Sequence, residues 1–356
     1  MPASSVYLTP QQLSNVVFGA HEYYVNAKKS PHRQDKLNRP FIKWVSKKMV
    51  KRPFIQGVFN YNTQLESDAV LQEPYARDRL QFTEEFGGDT MVVDGVKTWL
   101  GLEILHDELR DNGFIIQHAS NWKRAPKLSE ASKIELVNIL TEKFERREDR
   151  LDQLHDEWLH RDGTGTPALA GLAALFPADP AVGVIQGINR AANPDYRHQA
   201  LAAGTTIAGG TLRPNLDNAL RTANSRATQG RVDVAFCGSG FLNGVKEYVE
   251  LNNLSINSQV AGFGKVDPAF PDSVLHWDGI PLVWDPTIDA LAARGIGANT
   301  VAWFLNSSQI EVAYDMYKDF CRPSDEFDLM VSRFGWMSRL NMWTRQPNAH
   351  VRAGVI

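Results

Sequence analysis

Residues 127–163 read KLSEASKIELVNILTEKFERREDRLDQLHDEWLHRDG. Within this stretch Val137, Leu140, Phe144, Leu151, Leu154 and Trp158 recur at intervals of three, four and seven, which brings them onto one stripe of an α-helix. The opposite face is charged. Ser129 is placed to accept from an orphan N–H of the first turn, and Gly163 can take the left-handed conformation that stops a helix. The spacing predicts a helix over about 129–160, roughly 48 Å long at about 1.5 Å per residue, enough to cross the molecule. The stripe covers too few heptads to favour a coiled coil.

On the N-terminal side of this helix, FIQGVFNYNTQ (54–64) and LQFTEEFGGDTMVVDGVKTWL (80–100) are aromatic and β-branched runs broken by Gly87-Gly88 and Asp94-Gly95. They read as strands joined by hairpin turns, since glycine adopts positive φ cheaply and Asp-Gly suits a type I′ turn. A long two-stranded excursion is expected, followed by LEILHDELRDNGFIIQ, where Asn112-Gly113 marks a helix end or turn before another strand. On the C-terminal side, residues 212–253 read as helix, strand, glycine-rich turn and helix, a packed α/β unit. The segments 277–289, 299–315 and 327–355 are rich in strand-like runs, the last alternating apolar with polar in the manner of a half-exposed sheet.

Composition bounds what such a chain can be. It has 356 residues, 43% of them apolar, with 38 Lys/Arg against 41 Asp/Glu. That is globular composition sufficient for about two domains. No window offers the roughly 18 to 20 uninterrupted apolar residues of a membrane span, and the polar opening MPASSVYLTPQQ lacks the layout of a secretory signal, so a soluble, non-secreted protein without a membrane partner is expected. Cys237 and Cys321 have neither CxxC spacing nor paired histidines beside them, which supports neither a disulfide framework nor a zinc site. The near-neutral total hides an asymmetry. From Asn26 to Arg52 there are ten basic residues (Lys28, Lys29, Arg33, Lys36, Arg39, Lys43, Lys47, Lys48, Lys51 and Arg52) against one acid, Asp35, a net +9 that leaves −12 for the rest of a −3 chain. Such an arm can be solvated, reach an acidic neighbouring subunit, or neutralise phosphates. Pro31, Pro40 and Pro53 argue for an extended arm with local structure, including a short helix within Phe41–Val50.

A search for chemistry returns little. VDVAFCGSGFLNG runs an apolar strand into Gly238, Gly240 and Gly244, an approximation to a dinucleotide-binding turn. The third glycine is displaced and no acidic residue ends a second strand about 20 positions on, so a tight strand-to-helix turn that needs glycine for its geometry is the better reading. Ser239 lacks the flanking glycines of a nucleophile elbow. His155 and His160, five apart and so about 140° off a common face, do not form a zinc-protease pair and read as helix-surface histidines. His106-Asp107-Glu108 and Asp285 read as turn or cap residues, and Trp277 and Trp284 as core and interface anchors rather than a stacking platform. No catalytic set, metal site or cofactor is expected, which favours a structural or binding protein.

Further segments, taken in order, carry a resemblance. GLAALFPADPAVGVIQGINRAANPDYRHQ contains Gly171-Leu172, Gly183, Gly187-Ile188-Asn189-Arg190 and Tyr196-Arg197; it is followed by LRPNLDNALRTANSRATQGRVDVAFCGSGFLNGVKEYVE, GIPLVWDPTID, NTVAWFLNSSQIEV and SRFGWMSRLNMWTRQPNAHVRAGV. From about Phe54 onward this series resembles the major capsid proteins of tailed bacteriophages, the Hong Kong 97-type family. The resemblance implies an α+β capsid fold: an N-terminal arm (1–53), an extended E-loop (54–100), a peripheral domain with its spine helix (101–182), an axial α/β domain (183–325) and a return to the peripheral domain (326–356). It implies assembly with copies of itself, as hexamers and pentamers, into an icosahedral virion shell formed in the host cytoplasm around double-stranded DNA held without sequence specificity. It also implies a portal and leaves room for a decoration protein. Some members carry a cleavable scaffolding segment before the arm; the resemblance therefore implies either a separate scaffolding protein or prior processing here, and Met1 favours the former as the expectation. Lys97 and Asn348 match the residue types that some members cross-link, but no cross-link is inferred. Two other readings stay open: a cytosolic α/β enzyme holding a phosphate-bearing ligand at Gly238–Gly244, and a non-viral nanocompartment shell.

Overall fold

A computed structural model of the chain describes residues 6–8, 13, 16–17, 39–51, 58–64, 88–111, 114–116, 130–164, 169–201, 205, 210–251, 275–321 and 331–354. In chain order the described elements are β1 (Val6–Leu8), α1 (Pro40–Lys48), β2 (Met49–Lys51), β3 (Val58–Gln64), β4 (Gly88–Asp94), β5 (Val96–Leu105), α2 (His106–Asp111), β6 (Phe114–Ile116) and α3 (Glu130–His160). They continue with α4 (Leu172–Leu175), β7 (Val184–Ile185), β8 (Ile188–Asn189), β9 (Gln199–Ala200), α5 (Leu212–Arg226), β10 (Val234–Cys237), α6 (Ser239–Leu251), β11 (Leu275–Trp277) and β12 (Ile280–Trp284). The last are α7 (Pro286–Ala293), β13 (Val301–Leu305), β14 (Ile310–Cys321), β15 (Val331–Thr344) and β16 (Val351–Gly354). The chain divides into two compact units. One comprises Met1–Lys36, Thr98–Leu154 and Tyr317–Ser338, the other Leu37–Lys97, His155–Met316 and Arg339–Ile356.

The first unit is built on the apolar stripe of α3. Leu136, Leu140, Phe144 and Leu151 are buried together with Leu102 and Ile104 of β5, Leu109 of α2, Phe334 of β15, and Leu13 and Val17; Val137 packs against them half-buried. Alternation does the same work on β5, where Leu102 and Ile104 face inward while Glu103 and Leu105 are exposed. The helix ends at His160 as its pattern predicts, and Gly163 lies at φ +80° just beyond. Ser129, the expected cap, lies outside the described residues, as do Asn112-Gly113.

The second unit is organised by a six-stranded sheet in the order β11-β12-β10-β13-β16-β9. Its central strands β10 and β13 are buried at every position. Such strands read as unbroken apolar runs because both faces are covered. The period of two then sorts the side chains. Ala235, Cys237, Ala302 and Phe304 face a cluster with Leu216, Leu220 and Ala223 of α5 and Phe241, Val245 and Tyr248 of α6. Val234, Phe236, Val301, Trp303 and Leu305 face a second cluster holding Phe41, Trp44 and Val45 of α1, Leu159 of α3, and Leu172, Leu175 and Phe176. The short helix expected within Phe41–Val50 is therefore α1. It is packed into this unit, and β2 after it pairs in parallel with β14, Met49 opposite Val312. Residues 40–51 of the basic stretch are thus built in, not extended, because Phe41, Trp44 and Val45 have a core to enter.

β3 and β4 pair antiparallel over seven residues, from Val58 opposite Asp94 to Gln64 opposite Gly88, and form a sheet of their own. Met91 anchors β4 in the cluster around Phe236 and meets the Tyr196 hydroxyl. Asp94-Gly95 does not make the expected hairpin turn, since β4 passes into β5 through it without pairing. The two-residue turns with positive φ occur elsewhere. Asp278-Gly279 (φ +48° and +80°) joins β11 to β12, and Gln186-Gly187 (φ +53° and +85°) joins β7 to β8. Both match the type I′ geometry that suits strand twist. Gln186 is held there by its amide, which brackets the Thr344 backbone, the nitrogen donating to O at 3.2 Å and the oxygen accepting from N at 3.0 Å.

Gly171 marks the tightest approach between α3 and the segment after it. A Cβ at this position would lie 2.5 Å from the carbonyl oxygens of both Leu159 and Arg161. Those are backbone atoms at a helix end and cannot swing aside as a side chain can. Gly171→Ala is expected to lower stability by about 3 kcal/mol, the upper range for overpacking, read as a fall in the denaturant midpoint at unchanged slope.

Candidate functional site

The glycine turn comes first because it carries the enzymatic alternative. Gly238 follows β10, and a Cβ there would lie 2.3 Å from the Asn299 carbonyl oxygen; at Gly240 one would lie 3.0 Å from Asn299 Oδ1 and Thr300 Cγ2. Phe241 N donates to Asn299 O at 3.2 Å, so the 299–300 segment occupies the approach. Ser239 N, at the start of α6, donates to Asp289 Oδ1 at 2.9 Å, and Asp289 Oδ2 accepts from Trp284 Nε1 at 2.7 Å. A phosphate would need that N–H and an open face. Here a carboxylate of the same chain holds the N–H and a neighbouring loop fills the face, so the glycines serve close packing. Burial, with Asp285 and Asp289 adding to it, pushes the neighbouring Cys237 thiol up to about 12, which makes it unreactive.

A second group was not legible. His155 and His160 are buried, not surface residues as their helix position suggested. His155 lies 5.8 Å from the Trp158 ring. His160, in the last turn of α3, is enclosed by the rings of Phe41 at 4.6 Å and Trp303 at 6.0 Å. Its Nδ1 donates to Asp156 O at 2.8 Å, and its Nε2 stands 3.2 Å from Asp285 Oδ2. Asp285 is the N-cap of α7, as a cap reading of that residue expects, with Oδ1 accepting from Thr287 N at 2.9 Å. Asp156 Oδ2 accepts from Thr287 Oγ1 at 2.5 Å. Burial alone would push the His160 imidazole down, but Asp285 and then Asp156 outweigh it and raise it to about 9. Burial raises the Asp156 carboxyl to about 6, with Asp285 adding to the rise and His160 opposing it.

A third group surrounds Phe176. Arg190, fully buried, donates from Nη2 to Ala174 O at 3.2 Å and Leu175 O at 2.5 Å, and Arg352 Nη1 donates to Phe176 O at 3.2 Å. Two arginines thus satisfy the carbonyls at the end of α4, which has too few turns to do so itself. His198 and His350 flank the Phe176 ring at 5.7 and 4.9 Å. His350 Nδ1 accepts from Asn306 N at 3.1 Å, and Nε2 is 3.0 Å from Thr344 Oγ1. Desolvation pushes both imidazoles down to about 3, with Arg190 and Arg352 adding to the effect at His198, and His198 adding to it at His350.

The other residues singled out in the sequence fall as follows. Of the stripe on α3, Leu140, Phe144 and Leu151 are buried and Val137, Leu154 and Trp158 half-buried. Lys28, Lys29, Arg33, Lys36 and Arg52 lie outside the described residues. Lys43 and Lys47 are exposed on α1, Arg39 and Lys48 are half-buried, and Lys51 closes β2. Lys97 is exposed on β5, and Asn348 Nδ2 donates to Asp195 O at 2.8 Å. Trp277 is in the core, whereas Trp284 is 49% exposed; Val182, before β7, and Val184, within it, are 61% and 67% exposed. None of these was brought into a catalytic arrangement among the described residues.

No protein-family model matches this sequence, and no curated protein does. The likeness is to solved structures. The capsid asymmetric unit of cyanophage A-1(L) matches with a TM-score of 0.64 at 13% identity, covering 93% of this chain and 97% of that one. The capsid of Myoviridae phage XM1 matches at 0.52 and 11% identity, covering 92% and 95%, and the capsid of a native GTA particle at 0.50 and 10%, covering 93% and 96%. At these identities the likeness is one of fold, and it extends over nearly the whole of each chain.

Two measurements check the site. Asp285→Asn leaves a cap acceptor but removes the charge facing His160, and should cost about 3–5 kcal/mol, the range for breaking one side of a buried pair. The histidines around Phe176 set an acid limb. Unfolded imidazoles take up protons near 6.5, whereas folded His198 and His350 do so only near 3. Between those values the unfolded chain holds more protons, so their contribution is complete above about pH 6.5 and is lost as pH falls toward 3. His198→Gln should flatten that limb in a pH series of unfolding midpoints.

Proposed function

We propose that this chain, which has the Hong Kong 97-type capsid fold, is a major capsid protein. In this reading copies of it assemble into hexamers and pentamers of an icosahedral shell around the double-stranded DNA of a tailed phage. The observation that carries the reading is the match over nearly the full length of both chains to the cyanophage capsid structure. Residues 1–53 are then the arm, 54–100 the E-loop containing β3 and β4, 101–182 and 326–356 the peripheral domain, and 183–325 the axial domain. A separate scaffolding protein, a portal and non-specific contact with packaged DNA belong to the same proposal.

The physical features fit a subunit that is completed by neighbours. β3 and β4 pair only with each other among the described residues, and Val182, Val184 and Trp284 leave apolar surface in water that a permanent interface would cover. The basic residues supply charge complementary to an otherwise acidic chain. The function is non-enzymatic; the filled glycine turn supports that part of it.

Size exclusion with light scattering, and negative-stain microscopy of each peak, tests the reading. Closed shells, or rings of five or six subunits, are expected. A compact monomer that persists at high concentration and on co-expression with neighbouring genes would overturn it. Within the same assay, charge reversal at Lys47, Lys48, Lys51 and Arg52 should reduce shell yield several-fold and make the remaining shells more salt-sensitive. Unchanged yield and stability would remove the basic residues from assembly.

A further inference from the structure

Three atoms in the second unit are buried, lack hydrogen-bond partners and belong to one cluster: Asp156 Oδ1, His160 Nε2 and Asp285 Oδ2. One ligand-type atom from each of these residues lies within 4.8 Å of the other two. An orphaned polar atom in a core carries a cost, and three converging on one another need a common explanation.

The remaining donor or acceptor of each residue is already engaged. His160 Nδ1 must carry its proton, because its partner at 2.8 Å is the Asp156 carbonyl, which only accepts; that directs the Nε2 side toward the cluster. Asp285 Oδ1 is held by Thr287 N and Asp156 Oδ2 by the Thr287 hydroxyl, so a single residue orients both carboxylates. Outer partners that fix tautomer and ring orientation, and that hold the second oxygen of each carboxylate, are the pattern found around metal ligands. The spacing agrees. Two ligand atoms at about 2.0–2.1 Å from an ion and at a tetrahedral angle stand about 3.3 Å apart. His160 Nε2 and Asp285 Oδ2 stand 3.2 Å apart, in an ion-pair contact.

We propose that Asp156, His160 and Asp285 form a structural binding site for one divalent first-row transition-metal ion. One imidazole nitrogen and two carboxylate oxygens suit an ion of the zinc class and give no thiolate preference. The ion would displace the Nε2 proton that the metal-free imidazole carries, and two carboxylates, the imidazole then neutral and a divalent ion sum to zero charge, the arrangement a buried volume tolerates best. Arg39 also acts on Asp156, more weakly than Asp285 or Thr287 does. The ion would tie the end of α3 to the start of α7. The inference does not depend on the shell reading, since it concerns a contact within one chain.

The test uses the full chain, purified from zinc-supplemented medium and divided into untreated and chelator-dialysed portions. Elemental analysis should give about one zinc per chain in the untreated portion, and adding Zn²⁺ to the dialysed portion should raise its melting temperature. Asp285→Asn and His160→Gln should each lose both the ion and the response to Zn²⁺. Wild-type chain that carries no zinc and does not respond to it overturns the proposal, whatever the variants do. Retention of stoichiometric zinc by both variants overturns it as well, by placing the ion elsewhere.

Discussion

A charge taken out of water costs several kcal/mol unless an opposite charge and hydrogen bonds meet it, and the second unit is arranged around that constraint. His160 and Asp156 occupy one turn at the end of α3, and Asp285 begins α7 125 residues later in sequence than His160. None of the three could be buried without the others. Once they meet, Phe41 from α1 and Trp303 from β13 close over the imidazole, and Phe236 of β10 packs edge-on against Phe41 at 5.1 Å. One electrostatic contact therefore decides which helix end, which cap and which face of the sheet come together. Hydrophobic burial, which has no direction of its own, then supplies the bulk of the stabilisation.

What was legible followed from periodicity. The stripe from Val137 to Trp158 specified α3 because a helix of that length shows several turns of repeat, each confirming the last. The identity of the buried histidine was not legible for the converse reason. One residue in one turn has no repeat, and what buries His160 comes from Phe41 and Trp303, more than a hundred residues away on either side. Asp-Gly pairs make the same point. At 278–279 the pair joins two strands that pair with each other, whereas at 94–95 the strands on either side never pair. A turn dipeptide gives local φ preference, and long-range pairing decides whether a hairpin results.

The segment around Arg190 shows how a loose sequence pattern can have a strict physical basis. Its glycine at 187 supplies the second positive φ of a two-residue turn, and its arginine reaches back 15 and 16 residues to the open carbonyls of α4. Arg352 completes that end from the opposite side of the sequence. Both arginines then impose a condition on their surroundings. Burial keeps both histidines beside Phe176 neutral, and at His198 these two cations add to its effect. The first cluster holds a charged imidazole and the second holds neutral ones, although all three lie in one unit; nearby carboxylates make the difference.

Under the proposed shell reading, these internal solutions bear on how such a chain would serve as a subunit. The carbonyls at the end of α4 and the first turn of α7 are met by side chains of the same chain. The parts left over are of another kind. β3 and β4 form a ribbon of two strands, and an isolated hairpin is marginal in water. Val182, before β7, and Val184, within it, are exposed next to a two-residue turn whose geometry is set by the φ of Gln186 and Gly187. In that reading, a subunit whose core is packed within the chain can enter differently curved contacts through its ribbon and exposed apolar side chains without repacking that core. Covering those parts would then belong to assembly, which would couple shell formation to the stability of each subunit.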